Sequence, residues 1–156
     1  MLNLINFNID LDILSFFNLK NLFKRSYTKE SVSILFIDDL DMPVVESLKK
    51  AQYKVKKIRD VKNIDDAEVK NAQIIFVDFD NVGRFVSPQH QGAGLVKELK
   101  IKYKSTKYIV LYTAQPNMPT DTAMNAMFNM ADARMRKDSD VTDFTEQIRE
   151  ALKKLR

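Results

Sequence analysis

Ile34-Leu35-Phe36-Ile37-Asp38-Asp39 is an apolar run that stops at two carboxylates. A short apolar run bounded by polar residues reads as a buried strand of a parallel sheet. Three further stretches repeat the pattern. Ile74-Ile75-Phe76-Val77 runs into Asp78, Tyr108-Ile109-Val110-Leu111-Tyr112 into Thr113, and Ala133-Arg134-Met135-Arg136 into Lys137. In an open parallel sheet, ligands bind beyond the carboxyl ends of the strands. Three aspartates, one hydroxyl and one ammonium are thereby brought to one edge. That chemistry suits a divalent cation and a phosphoryl group.

Between these strands the spacing turns helical. Pro43 suits the first turn of a helix running to about residue 52. Tyr53 to Arg59 alternates, Lys54-Val55-Lys56-Lys57-Ile58 at its centre, which fits an edge or half-exposed strand. Ile64 to Lys70 is a short helix, and residues 79–93 read as a long loop with Gly83, Pro88 and Gly92. Leu95, Val96, Leu99 and Tyr103 form the apolar face of the next helix. Thr120 or Asp121 caps another, which carries Met124, Met127, Phe128 and Met130. Thr142 to Leu155 is the last, with Phe144, Ile148, Leu152 and Leu155 on one face. The result is (βα)₅. Right-handed crossovers make it an α/β, doubly wound, five-stranded parallel sheet of flavodoxin-like form.

The 156 residues, 45% hydrophobic and 29% charged, suffice for one domain with a core plus an appendage. With no cysteine there is no disulfide or thiolate chemistry. The net charge of +4 comes from lysines spread along the chain, and no basic stripe or DNA-binding motif marks a nucleic-acid partner. Residues 1–30 differ from residues 31–156, the domain proper. They are rich in Leu, Ile, Phe and Asn, yet lack the features of a secretory signal and the unbroken apolar length of a span. Phe7, Ile9, Leu11 and Ile13 alternate with polar residues like a strand. From Ile13 onward an amphipathic helical spacing leads to Lys24-Arg25, and a polar linker follows. So much apolar surface needs cover: its own domain, a second copy through residues 1–25, or a membrane surface. The expected location is the cytoplasm, with peripheral membrane contact as the alternative.

Residues 32–155 resemble the response-regulator receiver domains. Asp38-Asp39 after strand one is similar to their acidic pair, Asp78 to their phosphoacceptor, Thr113-Ala114 to their Thr/Ser-Ala, and Lys137 to their lysine after strand five. Each motif alone is weak; four in order, on the right strands, carry the resemblance together. It implies a signalling module rather than an enzyme. Asp78 would accept a phosphoryl group, with Mg²⁺ held by Asp38, Asp39, Asp78 and the backbone carbonyl of Asp80. Lys137 would pair with Asp78 and then with the phosphoryl oxygens, and Thr113 would bond the phosphoryl group. Mg²⁺ is needed because carboxylate and donor are both anionic. A sensor histidine kinase or phosphotransfer protein would supply the group. No effector domain is read in this sequence, so the expected output is a contact with a downstream protein, a homo-oligomer, or an action of residues 1–25.

Departures from the family's pattern are specific. Phe79-Asp80-Asn81-Val82-Gly83 replaces the usual turn with a proline, and the loop that follows is longer. Asp138 replaces the proline after the lysine and sets a negative charge beside Lys137. Arg134 stands where the family carries its switch aromatic. Two other readings remain. One is a pseudo-receiver that binds partners without phosphorylation. The other is a haloacid dehalogenase-like phosphatase, whose first motif Asp78-Phe79-Asp80-Asn81-Val82-Gly83 resembles, with Asp78 as nucleophile and Asp80 as general acid. That reading leaves Asp38-Asp39 without a role. His90 is expected to be a solvated loop residue, Asp60, Asp65 and Asp66 to cap loops, and the three methionines to pack in the core.

Overall fold

The computed structural model describes residues 26–114 and 121–155. The readings of residues 1–25, and of Thr120 as a cap, lie outside the described residues. The elements alternate as β1 Ser33–Ile37, α1 Pro43–Lys50, β2 Lys54–Ile58, α2 Ala67–Asn71, β3 Ile74–Asp78, α3 Gln91–Tyr103, β4 Tyr108–Thr113, α4 Thr122–Phe128, β5 Ala133–Arg136 and α5 Val141–Lys154. The five strands are parallel, in the order β2-β1-β3-β4-β5. The three apolar strands β1, β3 and β4 take the centre because only they tolerate helices on both faces. β2, with its lysines, takes one edge as its alternation requires.

Alternation along the central strands divides the core in two. Ile34, Phe36, Ile74, Phe76, Val110 and Tyr112 face α1 and α5, where Val45, Leu48, Phe144 and Ile148 cover them. Leu35, Ile37, Ile75, Val77, Ile109 and Leu111 face the other side, against Val69, Leu95, Leu99 and Phe128. Aromatic rings fill the first half. Phe36 and Phe76 stack with centroids 4.5 Å apart, and Tyr112 and Phe144 meet them at an angle. At the far end of the sheet, the buried ammonium of Lys107 donates to the carbonyls of Lys70 and Ala72, tying down the end of α2. Burial pushes that ammonium down to about 8.

The long loop is shorter and more ordered than the sequence implies. It ends at His90, and Gly92, Ala93 and Gly94 are buried residues of α3. The glycines are there for proximity rather than looseness. A Cβ on Gly92 would lie 1.9 Å from the Asp78 carbonyl oxygen, and Gly92 N–H donates to the Phe79 carbonyl at 3.2 Å. The start of α3 thus sits directly against the end of β3. Asp60 pins the loop from the other side: its carboxylate accepts from the N–H groups of Val61, Gly83 and Arg84. Gly83 carries a φ of 72° and has no room for a side chain beside Gln91. Asp66 accepts from the amides of Lys62 and Asn63, and Asp65 pairs with Lys70 and Lys102, in line with their expected structural roles.

Other differences are small. Asp121 caps α4 as expected, accepting from Met124 N–H. α5 starts one residue early because Asp140 caps it through Thr142 and Asp143 N–H, a cap that the sequence reading passed over. Met130 packs on the core, while Met124 and Met127 stay half-exposed outside both clusters. His90 is half-buried at the N-cap of α3 and makes no capping bond with its side chain. No helix among the described residues is long and apolar enough to cross a membrane.

Gly92→Ala is expected to destabilise the protein by about 3 kcal/mol, since backbone and not a flexible side chain blocks the added methyl. Urea unfolding should show a lower midpoint at an unchanged slope. A midpoint equal to wild type would mean that α3 does not approach β3 this closely.

Candidate functional site

Because the strands are parallel, Asp38, Asp78, Thr113 and Lys137 emerge at one edge. Asp78 is the last residue of β3 and Thr113 of β4; Asp38 follows β1 and Lys137 follows β5. Lys137 N–H donates to the Thr113 carbonyl at 2.8 Å, continuing the β4–β5 ladder into the site. This register aims the lysine inward. Its Nζ lies 2.6 Å from Asp78 Oδ2 and 3.0 Å from Asp38 Oδ2.

Asp38 is fully buried. Its Oδ2 accepts the Tyr112 hydroxyl at 2.7 Å and its Oδ1 accepts Leu40 N–H at 2.8 Å, with Lys137 bonding the same group. Such a charge persists in the interior only when it is paired and hydrogen-bonded. Tyr112 was not among the residues singled out from the sequence. The available signal was a tyrosine in an otherwise apolar buried strand, since a buried phenol needs a partner. Burial, then the charge of Asp38, holds its hydroxyl proton far above its usual range, so the hydroxyl stays protonated and donates to Asp38.

Asp78 is almost completely buried. Burial, helped by the neighbouring charge of Asp38, raises its carboxyl above the ordinary carboxylate range. The hydrogen bond and charge of Lys137, and the backbone N–H of Asp80, pull the other way and only partly offset it. Lys137 shows the converse balance. Burial lowers it, but its bonds to Asp78 and Asp38 prevail and raise it, so it stays an ammonium.

Asp39 completes the group. Carboxylate oxygens of Asp38, Asp39 and Asp78 lie within 4.8 Å of one another. Asp39 Oδ1 is buried without a hydrogen-bond partner. Three clustered carboxylates, two of them bonded to one ammonium and the third with a buried oxygen unsatisfied, fit a hard divalent cation. Asp80 lies just beyond, half-buried, at the start of the pinned loop. All the site residues read from the sequence therefore meet at one edge.

One expectation about the surroundings changes. The Asp138 carboxylate is engaged by the Arg136 guanidinium through two bonds, at 2.8 and 2.6 Å, so it forms a side-chain pair of its own beyond β5. The peptide after Lys137 is trans, as all are among the described residues. Arg134, in the place of the switch aromatic, is exposed. Its guanidinium lies over the Phe128 ring, 5.4 Å from the centroid, and donates to Asn129. Phe128 in turn meets Phe79 edge-on at 5.8 Å, next to Asp78.

No family profile matches this sequence, and no curated protein matches it. Solved structures do. A response regulator receiver domain protein (CheY-like) of Methanospirillum hungatei JF-1 superposes with a TM-score of 0.57 at 20% identity, covering 80% of this chain and 95% of that one. HP1043, an orphan response regulator of H. pylori, does so with a TM-score of 0.57 at 14% identity, over 80% and 99%. NtrX of Brucella abortus, solved with ATP, gives a TM-score of 0.59 at 20% identity over 78% of this chain; the chain spans 27% of the length of NtrX. The likeness is one of fold at these identities: the chain has the receiver fold of response regulators, a five-stranded parallel sheet between two helical layers.

Proposed function

We propose that this chain is a signalling receiver whose Asp78 accepts a phosphoryl group with Mg²⁺ bound beside it. The observation that supports this best is the pairing of Lys137 with Asp78 at 2.6 Å inside a three-carboxylate cluster that leaves Asp39 Oδ1 unsatisfied. Asp39 and Asp78 would hold the cation, with the backbone carbonyl of Asp80. Asp38, whose oxygens are already engaged by Tyr112, Leu40 and Lys137, supports it from behind. When bound, the cation supplies charge neutralisation between the carboxylate and the anionic donor.

The side chains divide the remaining work. An Asp78 oxygen attacks the phosphorus of the donor. An O–P bond to Asp78 forms as the donor's own bond to phosphorus breaks, its electron pair departing on the acetate oxygen of acetyl phosphate or on the imidazole nitrogen of a phosphohistidine. Lys137 then turns from the lost carboxylate charge to a phosphoryl oxygen, and Thr113 donates to another. Burial of Asp78 keeps competing water away. The donor in the cell would be a histidine kinase or phosphotransfer protein, and the output a protein contact. The phosphatase reading gains nothing from the geometry, because it gives the buried Asp38 and its grip on Lys137 no task.

Incubation with acetyl phosphate and Mg²⁺ should place one base-labile phosphoryl group on Asp78, located by borohydride trapping and peptide mass. Lys137→Ala should slow its formation on the order of 100-fold, the scale for loss of a charged donor to the transferring group. Labelling of another residue, or none with any donor, would leave a binding module without phosphorylation.

Asp78→Asn offers a separate check. Mg²⁺ affinity should fall at least about tenfold, read by amide shifts on titration. Without metal, folded Asp78 holds its proton above the usual 3.8. Its contribution to stability is therefore full below 3.8 and lost as pH rises through the raised value. The asparagine variant does not titrate, so its stability relative to wild type should climb across that window and then level off. A constant difference from pH 3.5 to pH 7 (roughly the span of carboxylate titration) would contradict the electrostatics described here.

A further inference from the structure

The outer edge of β2 is a second feature that the phosphoryl site does not use. Asp38 N–H donates to the Ile58 carbonyl at 3.0 Å, so Ile58, and by alternation Lys56 and Lys54, turn their backbone groups toward β1. The N–H and C=O groups of Val55 and Lys57 point outward, and among the described residues no strand pairs with them. The edge is flanked on both faces. Between β2 and α2 lies a cleft of about 440 Å³ whose rim carries Lys54, Lys56 and Glu68. Between β2 and α1 lies another of about 450 Å³, where Met42, Val45 and Val55 sit among the charged residues Asp41, Glu46, Lys49 and Lys57. The α2 cleft is cationic on its β2 side: Lys56 pairs with Glu68, and Lys54 has no acidic partner among the described residues. The α1 cleft offers Met42, Val45 and Val55 as its apolar part. An extended segment on this edge meets Lys54 and Lys56 on one face and Val55, Val45 and Met42 on the other.

The chain contains a segment that suits both faces. Phe7-Asn8-Ile9-Asp10-Leu11-Asp12-Ile13 alternates apolar residues with Asn or Asp and carries no cation. The described chain also enters beside β2. Tyr27 packs against the same cluster as Tyr53 and Val55, and the Lys29 ammonium lies 4.8 Å from the centre of the Tyr53 ring. Residues 14–25 join the two. They reach about 40 Å when extended, more than twice the roughly 17 Å length of β2.

We propose that residues 7–13 of this chain add to the outer edge of β2 as a sixth strand. Asp10 and Asp12 then face Lys54 and Lys56 over the α2 cleft. Phe7, Ile9, Leu11 and Ile13 cover Val55, Val45 and Met42 on the α1 side. Main-chain bonds supply the affinity, and the alternation fixes which face turns inward. The arrangement also removes an exposed strand edge that would otherwise be open to other chains.

Amide exchange by NMR on the full chain tests this without any variant. The amides of Val55 and Lys57 should be protected about 100-fold or more over an unstructured chain, as ladder amides are, independently of protein concentration. Asp10→Lys with Asp12→Lys should cost these two amides at least about tenfold in protection. Ile75, at the sheet centre, should be unaffected, and adding Lys54→Glu with Lys56→Glu should restore the loss. Exchange of Val55 and Lys57 at the rate of free amides in wild type overturns the proposal. Protection that appears only with rising concentration and a dimer by light scattering assigns the edge to a second copy. Protection that appears only with anionic vesicles assigns it to a lipid surface. Either of these results also overturns the pairing with the chain's own segment.

Discussion

The carboxylate of Asp38 is the constraint around which the site is built. It has no exposed surface, and a buried charge without partners costs several kcal/mol. Its partners come from three places in the chain: Leu40 N–H from its own turn, the Tyr112 hydroxyl from β4, and the Lys137 ammonium from beyond β5. Lys137 reaches on to Asp78 at the end of β3. One buried acid therefore links the ends of β1, β3, β4 and β5. Slipping any of these strands by one residue would turn its polar terminus to the wrong face and strand the charge. The aromatic layer beneath supports the same arrangement. Tyr112 stands edge-on to Phe36, Phe76 and Phe144, so its ring is held by packing while its hydroxyl is held by Asp38.

The neighbouring aspartates share the edge but not the environment. Asp38 is saturated with donors and acts as a fixed post. Asp39 keeps one buried oxygen without a partner, and Asp78 is raised above the ordinary range by burial and by Asp38. A cation placed among them would relieve both conditions, and Lys137 alone does not, since its bonds go to Asp38 and Asp78 and Asp39 Oδ1 keeps no partner. The site is thus held in place before any ligand arrives, by groups whose own bonds do not involve the ligand.

The surroundings are more tightly braced than an elongated loop implies. Asp60 grips the loop backbone at Gly83 and Arg84, and α3 presses on the Asp78 carbonyl through Gly92. Beyond β5, Arg136 holds Asp138, while Arg134 lies over Phe128, which meets Phe79 beside Asp78. An exposed guanidinium on an aromatic face does a different job from an aromatic that moves into the core. The surface near α4 therefore has its own chemistry, set by Arg134 and the half-exposed Met124 and Met127.

Much of this was legible in the amino-acid order because it rests on local pattern. Apolar runs ending in Asp38, Asp78, Thr113 and Lys137 specify parallel buried strands, and parallel strands necessarily share a carboxyl edge. The lysine-rich alternation of Lys54 to Ile58 likewise placed β2 at the border. What the sequence left open depends on distances between segments far apart in the chain. Tyr112 looked like one more apolar core residue until its hydroxyl met Asp38, 74 residues away. Asp60 looked like any turn residue, and its role appears only where the loop after β3 folds over it. Gly92 read as a loop breaker, since composition cannot distinguish a glycine needed for freedom from one needed for closeness; only the approach of α3 to β3 decides it. Periodicity records which way a side chain points relative to its own backbone. Which partner it meets there is decided when the strands and helices pack.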